Sequence, residues 1–345
     1  MTAPEEYRFT RYLAAKKSVD DRALNPAVRR ELVRALRDLP GQTPVQVLEV
    51  GAGIGTMLER LLDWGMLRRA AYTGIDIEPE NLVEARQRLG RYAASQGFGY
   101  SGGPNGRLVL ERQQQRFEVT LEAIDLFDFQ AREQGRRTWD LLIAHAFLDL
   151  VDLATALPPL FSLLKSGGLF YFTLNFDGAT ILRPPVDEGF DRLVQELYHQ
   201  TMDRRRVNGK PAGSSRTGRL LQALLENAPG VQLLAAGRSD WVVSPSRAVY
   251  PAAEAYFLHF IIQTIHQALK DHPEMDGPRL AQWTRARHRQ IERGELTYIA
   301  RQWDFLGRKE VEDLGEGARG RGPIYNPSPK TPSPNHHLKG GGRGD

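Results

Sequence analysis

The chain has 345 residues, 41% hydrophobic and 26% charged, with no cysteine. It can bury a large core, and disulfides, thiolate metal sites and cysteine nucleophiles are excluded. The formal charge is +4, of which residues 308–345 hold +2 through seven Lys or Arg against five acids, so the rest lacks the basic footprint of a dedicated polyanion binder. No run of about 18 apolar residues and no basic-then-apolar leader occurs, so neither a membrane span nor a secretory signal is expected and a cytoplasmic location is the simplest reading.

In chain order, helices are predicted over 6–17 and 26–39, joined at 18–25, with Asn25-Pro26 as a helix start. A short apolar strand, Val47-Leu48-Glu49-Val50, then runs into Gly51-Ala52-Gly53-Ile54-Gly55-Thr56 and an amphipathic helix beginning near Met57. A second strand, Tyr72-Thr73-Gly74-Ile75-Asp76-Ile77, ends in an acid and precedes a helix started by Pro79. Residues 95–106 are too glycine-rich for a regular element, whereas 108–112 and 117–124 form a hairpin leading into the third core strand. Trp139 to His145 is the fourth strand and Leu169 to Phe172 the fifth, which Asn175-Phe176-Asp177-Gly178 closes. Helices are expected at 188–206 and 217–227; the loop 208–218 between them is either an anion-binding nest with Arg216 or a helix start capped by Ser215 or Thr217. Strands 231–236 and 240–243 read as an antiparallel pair, followed by a long helix over 252–270 and one or two helices over 279–307. Beyond Gly315 the Gly, Pro and Ser content reads as a disordered tail, in which His336-His337 is too short a cluster for a metal site; no metal is expected.

Three glycines at alternate positions let the backbone turn tightly and let a ligand approach main-chain N–H groups at the positive end of the following helix. The pattern is Glu-x-Gly-x-Gly-x-Gly and not the dinucleotide Gly-x-Gly-x-x-Gly, which favours S-adenosylmethionine (SAM) over NAD. Asp76, 21 residues after Gly55, stands where a carboxylate can accept both ribose hydroxyls, although a helix-capping role is the alternative.

With these residues the chain resembles a class I SAM-dependent methyltransferase over about 45–175. Glu49 to Gly55 resembles the first family motif, Tyr72 to Ile77 the second, Ala123-Ile124-Asp125-Leu126 the third and Trp139 to His145 the fourth. Leu163-Leu164-Lys165-Ser166-Gly167-Gly168 resembles the late Leu-Lys-Pro-Gly-Gly motif, with Ser166 in place of Pro. The resemblance implies an α/β, Rossmann-like class I methyltransferase sheet, mostly parallel with one antiparallel strand near the end, plus N-terminal helices and a C-terminal helical cap. It implies that Glu49 holds the amino group of the methionine moiety over a floor of Gly51, Ala52, Gly53 and Gly55. Asp76 would bind the ribose, Ile77 would pack on the adenine, Asp125 and the Leu126 N–H would meet the adenine edge, and Ala144 and His145 would flank the sulfonium.

The domains expected are an N-terminal helical lid (1–40), a SAM-binding domain (41–250) with a helical insertion at about 187–228, a C-terminal helical cap (251–310) and the tail (311–345). Tyr12, Lys16, Lys17 and Arg22 are candidates for the lid and for the SAM carboxylate. His145 and Asp149 are the candidate base or acceptor-orienting residues, ahead of His259, Tyr298 and Asp304. The fourth strand continues as His145-Ala146-Phe147-Leu148, not an Asn-Pro-Pro-Tyr type of tetrapeptide, which speaks against a nucleobase or glutamine-amide acceptor. A small organic acceptor is the reading, with O-methylation ahead of N-methylation. An RNA or protein methyltransferase and a non-catalytic SAM-binding protein are the alternatives.

Overall fold

The structure, a computed structural model, describes residues 2–39, 44–102, 106–207 and 209–311. It begins with α1 (Phe9–Ala23) and α2 (Pro26–Arg37). Asn25 starts the second helix as expected, its side-chain oxygen accepting from the Ala27 and Val28 N–H groups ahead of Pro26. Helix α1 continues through residues 18–23, against the expected connection there. The one-turn pairs Lys16–Asp20 and Lys17–Asp21 and the burial of Val19 and Asp20 favour helix over that stretch.

Strands and helices then alternate: β1 (Val45–Val50), α3 (Thr56–Trp64), β2 (Arg69–Asp76), α4 (Pro79–Gln96), β3 (Gly99–Gly102), β4 (Leu108–Arg112), β5 (Gln115–Ala123), α5 (Leu126–Glu133) and β6 (Trp139–His145). After a 3-10 turn, Leu148–Leu150, come α6 (Leu153–Ser162), β7 (Leu164–Arg183), α7 (Glu188–Asp203), the two-residue strands β8 (Arg206–Val207) and β9 (Lys210–Pro211), and α8 (Thr217–Asn227). The chain continues with β10 (Val231–Arg238), β11 (Trp241–Val243), α9 (Glu254–Leu269), α10 (Gly277–Glu292) and β12 (Thr297–Lys309).

The main sheet runs β10-β12-β7-β6-β1-β2-β5 and is extended by β4 and β3. The pairs β7/β6, β6/β1, β1/β2 and β2/β5 are parallel, whereas β12 is antiparallel to both β7 and β10. This is the Rossmann-like sheet of the class I methyltransferase fold, mostly parallel with one reversed strand near its end. Its buried central strands read as near-continuous apolar runs because helices cover both faces. Cluster residues from α2, α3 and α4 pack on one face (Leu32, Leu61, Leu89) and from α5, α6 and α8 on the other (Phe129, Leu160, Leu221). Strand order reverses between β1 and β6, and open α/β sheets bind ligands in the crevice at such a switch point.

Several expectations need correction. Residues 297–309 are a strand, not the end of a helical cap: α10 stops at Glu292, Gly294 turns at φ +63, and Thr297-Tyr298-Ile299 enter the sheet. Pairing with β7 from Thr297↔Arg183 to Arg308↔Leu169 decides this, a long-range contact that overrides local propensity. Strands β10 and β11 do not pair with each other; each pairs separately with β12. Strand β7 does not close at 175–178 but passes Leu174, at φ +56, and continues to Arg183. The glycine-rich stretch after α4 contributes β3, an edge strand paired to β4. Helix α8 packs on the sheet, and α2 belongs to the main core. The predicted tail lies outside the described residues except for Val311.

A second apolar cluster lies beyond the carboxyl edge of the parallel strands. There the ends of β7 and β12 form a ribbon with β11, packed by α1, α7, α9 and α10 through Val19, Leu197, Phe257, Ile262, Trp283 and Tyr298. Among the described residues no helix is long and apolar enough to cross a membrane.

Candidate functional site

Leaving β1, the chain passes Gly51 (φ +68), Gly53 (φ +53) and Gly55 (φ +79), three left-handed residues at alternate positions, a conformation that costs glycine little. A Cβ on Gly51 would lie 2.6 Å from Phe147 Cδ2, and one on Gly53 would lie 3.4 Å from Leu13 of α1. The turn is thus covered by the segment after β6 and by the N-terminal helix. Gly55 faces Ala85 and Leu89, which lets α3 pack closely on α4.

Asp76, at the tip of β2, is nearly buried. Its Oδ2 accepts the Gly53 N–H at 2.7 Å, while Oδ1 accepts the Glu78 N–H at 2.9 Å and the Asn81 side chain at 3.1 Å. The carboxylate therefore ties the glycine turn to the second strand. Beside it Ile77 is 64% exposed, an apolar side chain presented at the strand edge. Glu49 is the reverse: fully buried, it accepts the Tyr72 hydroxyl, and burial pushes its carboxyl up to about 8 against the lowering effects of Tyr72 and Arg60.

A buried polar network connects α1 to this turn. Asp20 receives Lys16 Nζ at 2.8 Å and Trp241 Nε1 at 2.9 Å, with Arg60 of α3 at 3.5 Å. Arg60 also donates to Asp21 at 2.6 Å, and Asp21 takes Lys17 at 2.9 Å. Burial works to raise the Asp20 carboxyl, but Lys16, His145 and Arg60 outweigh it and hold the group far below the ordinary carboxylate range. His145 meets Thr173 Oγ1 at 2.7 Å through Nδ1, and its Nε2 lies 3.2 Å from both Asp20 and Arg60. Burial lowers its pKa to about 4, so the ring is neutral at pH 7 and its Nε2 serves one of those two partners at a time. With His145 neutral, Lys16, Lys17 and Arg60 face Asp20 and Asp21 beside the glycine turn.

On the cap side, Asp149 has its Oδ1 buried with no hydrogen-bond partner, and burial raises its carboxyl. Tyr12, Tyr198 and Tyr298 stand close enough to perturb one another, and the Tyr12 and Tyr198 hydroxyls also feel Asp149. Burial pushes Tyr198 up to about 12. The Tyr12 ring stacks on Phe260 with centroids 4.2 Å apart, so it belongs to the cap core as much as to the lid.

The other expected residues lie elsewhere in the scheme. Arg22 is committed to the buried Glu254 of α9 at 2.5 and 2.8 Å, so it braces α1 on the cap. Asp125 caps α5 through the Phe127 N–H at 2.7 Å, and Leu126 is buried while Phe127 is exposed. The Ala144 methyl turns into the core with Leu48 and Leu142; Ala146, at φ +51, and Phe147 instead face the glycine turn. His259 is buried against His288, Nδ1 to Nδ1 at 2.8 Å, a contact between α9 and α10. Asp304 accepts the Leu174 and Asn25 N–H groups at 2.8 Å each, so it fixes the point where β7 leaves the sheet. Burial raises it to about 6. In the 208–218 loop neither Ser215 nor Thr217 caps α8, because Ser215 is bound to Asp203 through both its N–H and its hydroxyl. Asp20, Arg60, Trp241, Phe147 and Tyr198 escaped the sequence reading. Arg60 alone carried a usable signal: a charge embedded in the apolar run Met57-Leu58-Glu59-Arg60-Leu61-Leu62.

The order and directions of the sheet, with the glycine turn at its switch point, define the class I methyltransferase fold. No protein-family model matches the chain, and no curated protein sequence does. Among solved structures the chain is similar to a putative sarcosine dimethylglycine methyltransferase from Galdieria sulphuraria, at 14% identity and TM-score 0.40 over 84% of this chain and 85% of that one. It is also similar to a putative type II methyltransferase from Anaeromyxobacter dehalogenans, at 15% identity and TM-score 0.44 over 82% and 97%. The [4+2]-cyclase SpnF is a further similar structure, at 16% identity and TM-score 0.37 over 81% of each chain. Fold and activity are separate matters, and the activity is argued from the site.

Proposed function

We propose that the protein is a SAM-dependent methyltransferase acting on a small organic acceptor. The observation that carries this reading is the left-handed Gly51-Gly53-Gly55 turn locked to Asp76 through the Gly53 N–H, with the Arg60 network beside it. These residues fit the cofactor. Asp76 would accept from the ribose, Ile77 would cover the adenine, the glycine turn would lie under the methionine moiety, and Arg60 or Lys16 would face its carboxylate. Glu49 would take the ammonium, ionising as it does so.

Bound SAM supplies a methyl group already activated by its sulfonium. The protein's own part is alignment and exclusion of water, which α1 performs by lying on Gly53 and by the His145, Asp20 and Arg60 contacts that hold it there. His145 is then a positioning residue, and Asp149, with one buried oxygen unpartnered, is the group able to take a proton from an acceptor. The reading is tested by calorimetric titration with SAM, S-adenosylhomocysteine and NAD in parallel. Binding of the two sulfur ligands without NAD supports it; a folded protein that binds neither refutes it.

A further inference from the structure

We propose that the protein binds phosphate, free or on a small ester, in a recess at the amino-terminal end of the parallel strands, between the guanidinium groups of Arg107 and Arg137. The site lies at the opposite end of β1 from the glycine turn and does not rest on the methyltransferase reading.

The recess exists because α5 is short. It follows β5 and leads back towards the start of β6, and its 8 residues cover about 12 Å where the 9 residues of β5 span about 30 Å. On the face that α5 partly covers, strand register aligns Gln46, Ala71 and Glu118 in one row and Leu48, Thr73 and Thr120 in the next. Further along the same face Val50 and Ile75 cluster with Leu126 and Phe129 of α5, so the earlier rows are left polar and beyond the reach of the helix. A polar sheet face is ordinarily open to water, yet Thr73 is only 4% exposed. Over these rows lies a recess of about 230 Å³, lined by both arginines.

The arginines reach it from opposite sides. Arg137, two residues before β6, donates to Gln46 Oε1 at 2.9 Å with its guanidinium 4.9 Å from the Trp139 ring centroid. Arg107, one residue before β4, is brought level with Thr120 by the register of β4 on β5. Among the described residues neither guanidinium has a carboxylate partner. Glu133 is paired with Arg132 at 2.8 Å, and Glu118, the one acid lining the recess, lies 3.4 Å from Arg116. Burial lowers the Arg137 pKa, and Arg107 lowers it further against the raising effect of Glu133. Two like charges lining one recess without a counter-ion are unfavourable, and a bound anion offsets that cost. The Thr73 and Thr120 hydroxyls, also without a protein partner among the described residues, add two donors at the floor.

This donor set selects phosphate. Two guanidiniums and two hydroxyls arriving from different sides need oxygens in several directions, which a tetrahedral phosphate offers and a planar carboxylate does not. A phosphate monoester carries close to two negative charges at neutral pH, one for each arginine. The volume keeps the rest of the ligand small, since pockets for drug-sized molecules begin at roughly 300 Å³.

The test is calorimetric titration of the full chain at constant ionic strength with inorganic phosphate, glycerol phosphate and acetate, with SAM titrated separately. Saturable binding of the phosphates and not of acetate is expected, tighter at pH 8 than at pH 5 because the second phosphate charge forms near pH ~6. R107Q, at an exposed residue, and R137Q should each weaken it about 10-fold or more by loss of a charge-assisted hydrogen bond, with SAM affinity unchanged. Tighter binding of glycerol phosphate than of inorganic phosphate identifies an ester as the occupant, and the reverse identifies the free ion. Equal binding of acetate, no saturable binding of either phosphate, or undiminished binding in R107Q, which leaves every ion pair in place, would each overturn the proposal. Failure to bind SAM alone would defeat the methyltransferase reading and leave this site standing.

Discussion

Binding of SAM should release a proton from Glu49. The carboxyl is fully buried against Tyr72 and holds its proton up to about 8, where an ordinary glutamate titrates at 4.5. At pH 7 the free protein therefore carries about 0.9 of a proton there, which a cationic ammonium placed beside it displaces. If the bound-state value falls to that of a free glutamate, apparent affinity rises with pH until about 8 and is about 50-fold weaker at pH 6 than at pH 8. Without ligand the sign is opposite for stability. The raised group favours the folded state below pH 4.5, and that contribution declines as pH rises through the folded value near 8. The assay is calorimetry at pH 7 in two buffers of different ionisation enthalpy, whose difference counts the protons released, repeated for E49Q. No buffer dependence, or an affinity flat from pH 6 to 8 in the wild type, would refute the argument; E49Q should show both.

Asp76→Ala should cost about 1.5–3 kcal/mol of SAM affinity, with an added loss of stability because the Gly53, Glu78 and Asn81 donors lose their acceptor; an unchanged titration would remove Asp76 from the site. Gly51→Ala meets both a left-handed φ and the Phe147 ring. Phe147→Ala in the same chain should relieve the contact but not the backbone, so partial recovery of SAM binding is expected, and full recovery would show the φ to be unimportant. Arg22→Ala leaves the buried Glu254 with Ser18 as its remaining side-chain donor, which should cost about 1–3 kcal/mol in denaturant unfolding while SAM affinity is kept; a loss of affinity without a loss of stability would return Arg22 to the cofactor. Asp20→Ala leaves Lys16 and Arg60 buried without their shared partner and should cost about 3–5 kcal/mol together with closure of α1, read as faster proteolysis near Ala23.

The sequence by itself determined the part of this protein that depends on neighbours in the chain. Alternate glycines after a buried strand, an acid at the end of the next strand and Asn25-Pro26 at a helix start act within a few residues, so the glycine turn, Asp76 and α2 stand where their patterns put them. Only the tertiary structure decided the rest. Residues 297–309 carry no signal that separates strand from helix until β7 is there to pair with them. The charges on α1 read as an ordinary solvated face, and three contacts from distant elements, Arg60, His145 and Trp241, turn Asp20 into a buried hub. The same holds for the cap. Tyr12, Tyr198 and Tyr298 are spread over nearly 290 positions, and one apolar cluster gathers them because β7 and β12 extend past the sheet together. Local pattern fixes backbone conformation through sterics and hydrogen bonds between near neighbours, whereas burial and charge pairing belong to the assembled molecule.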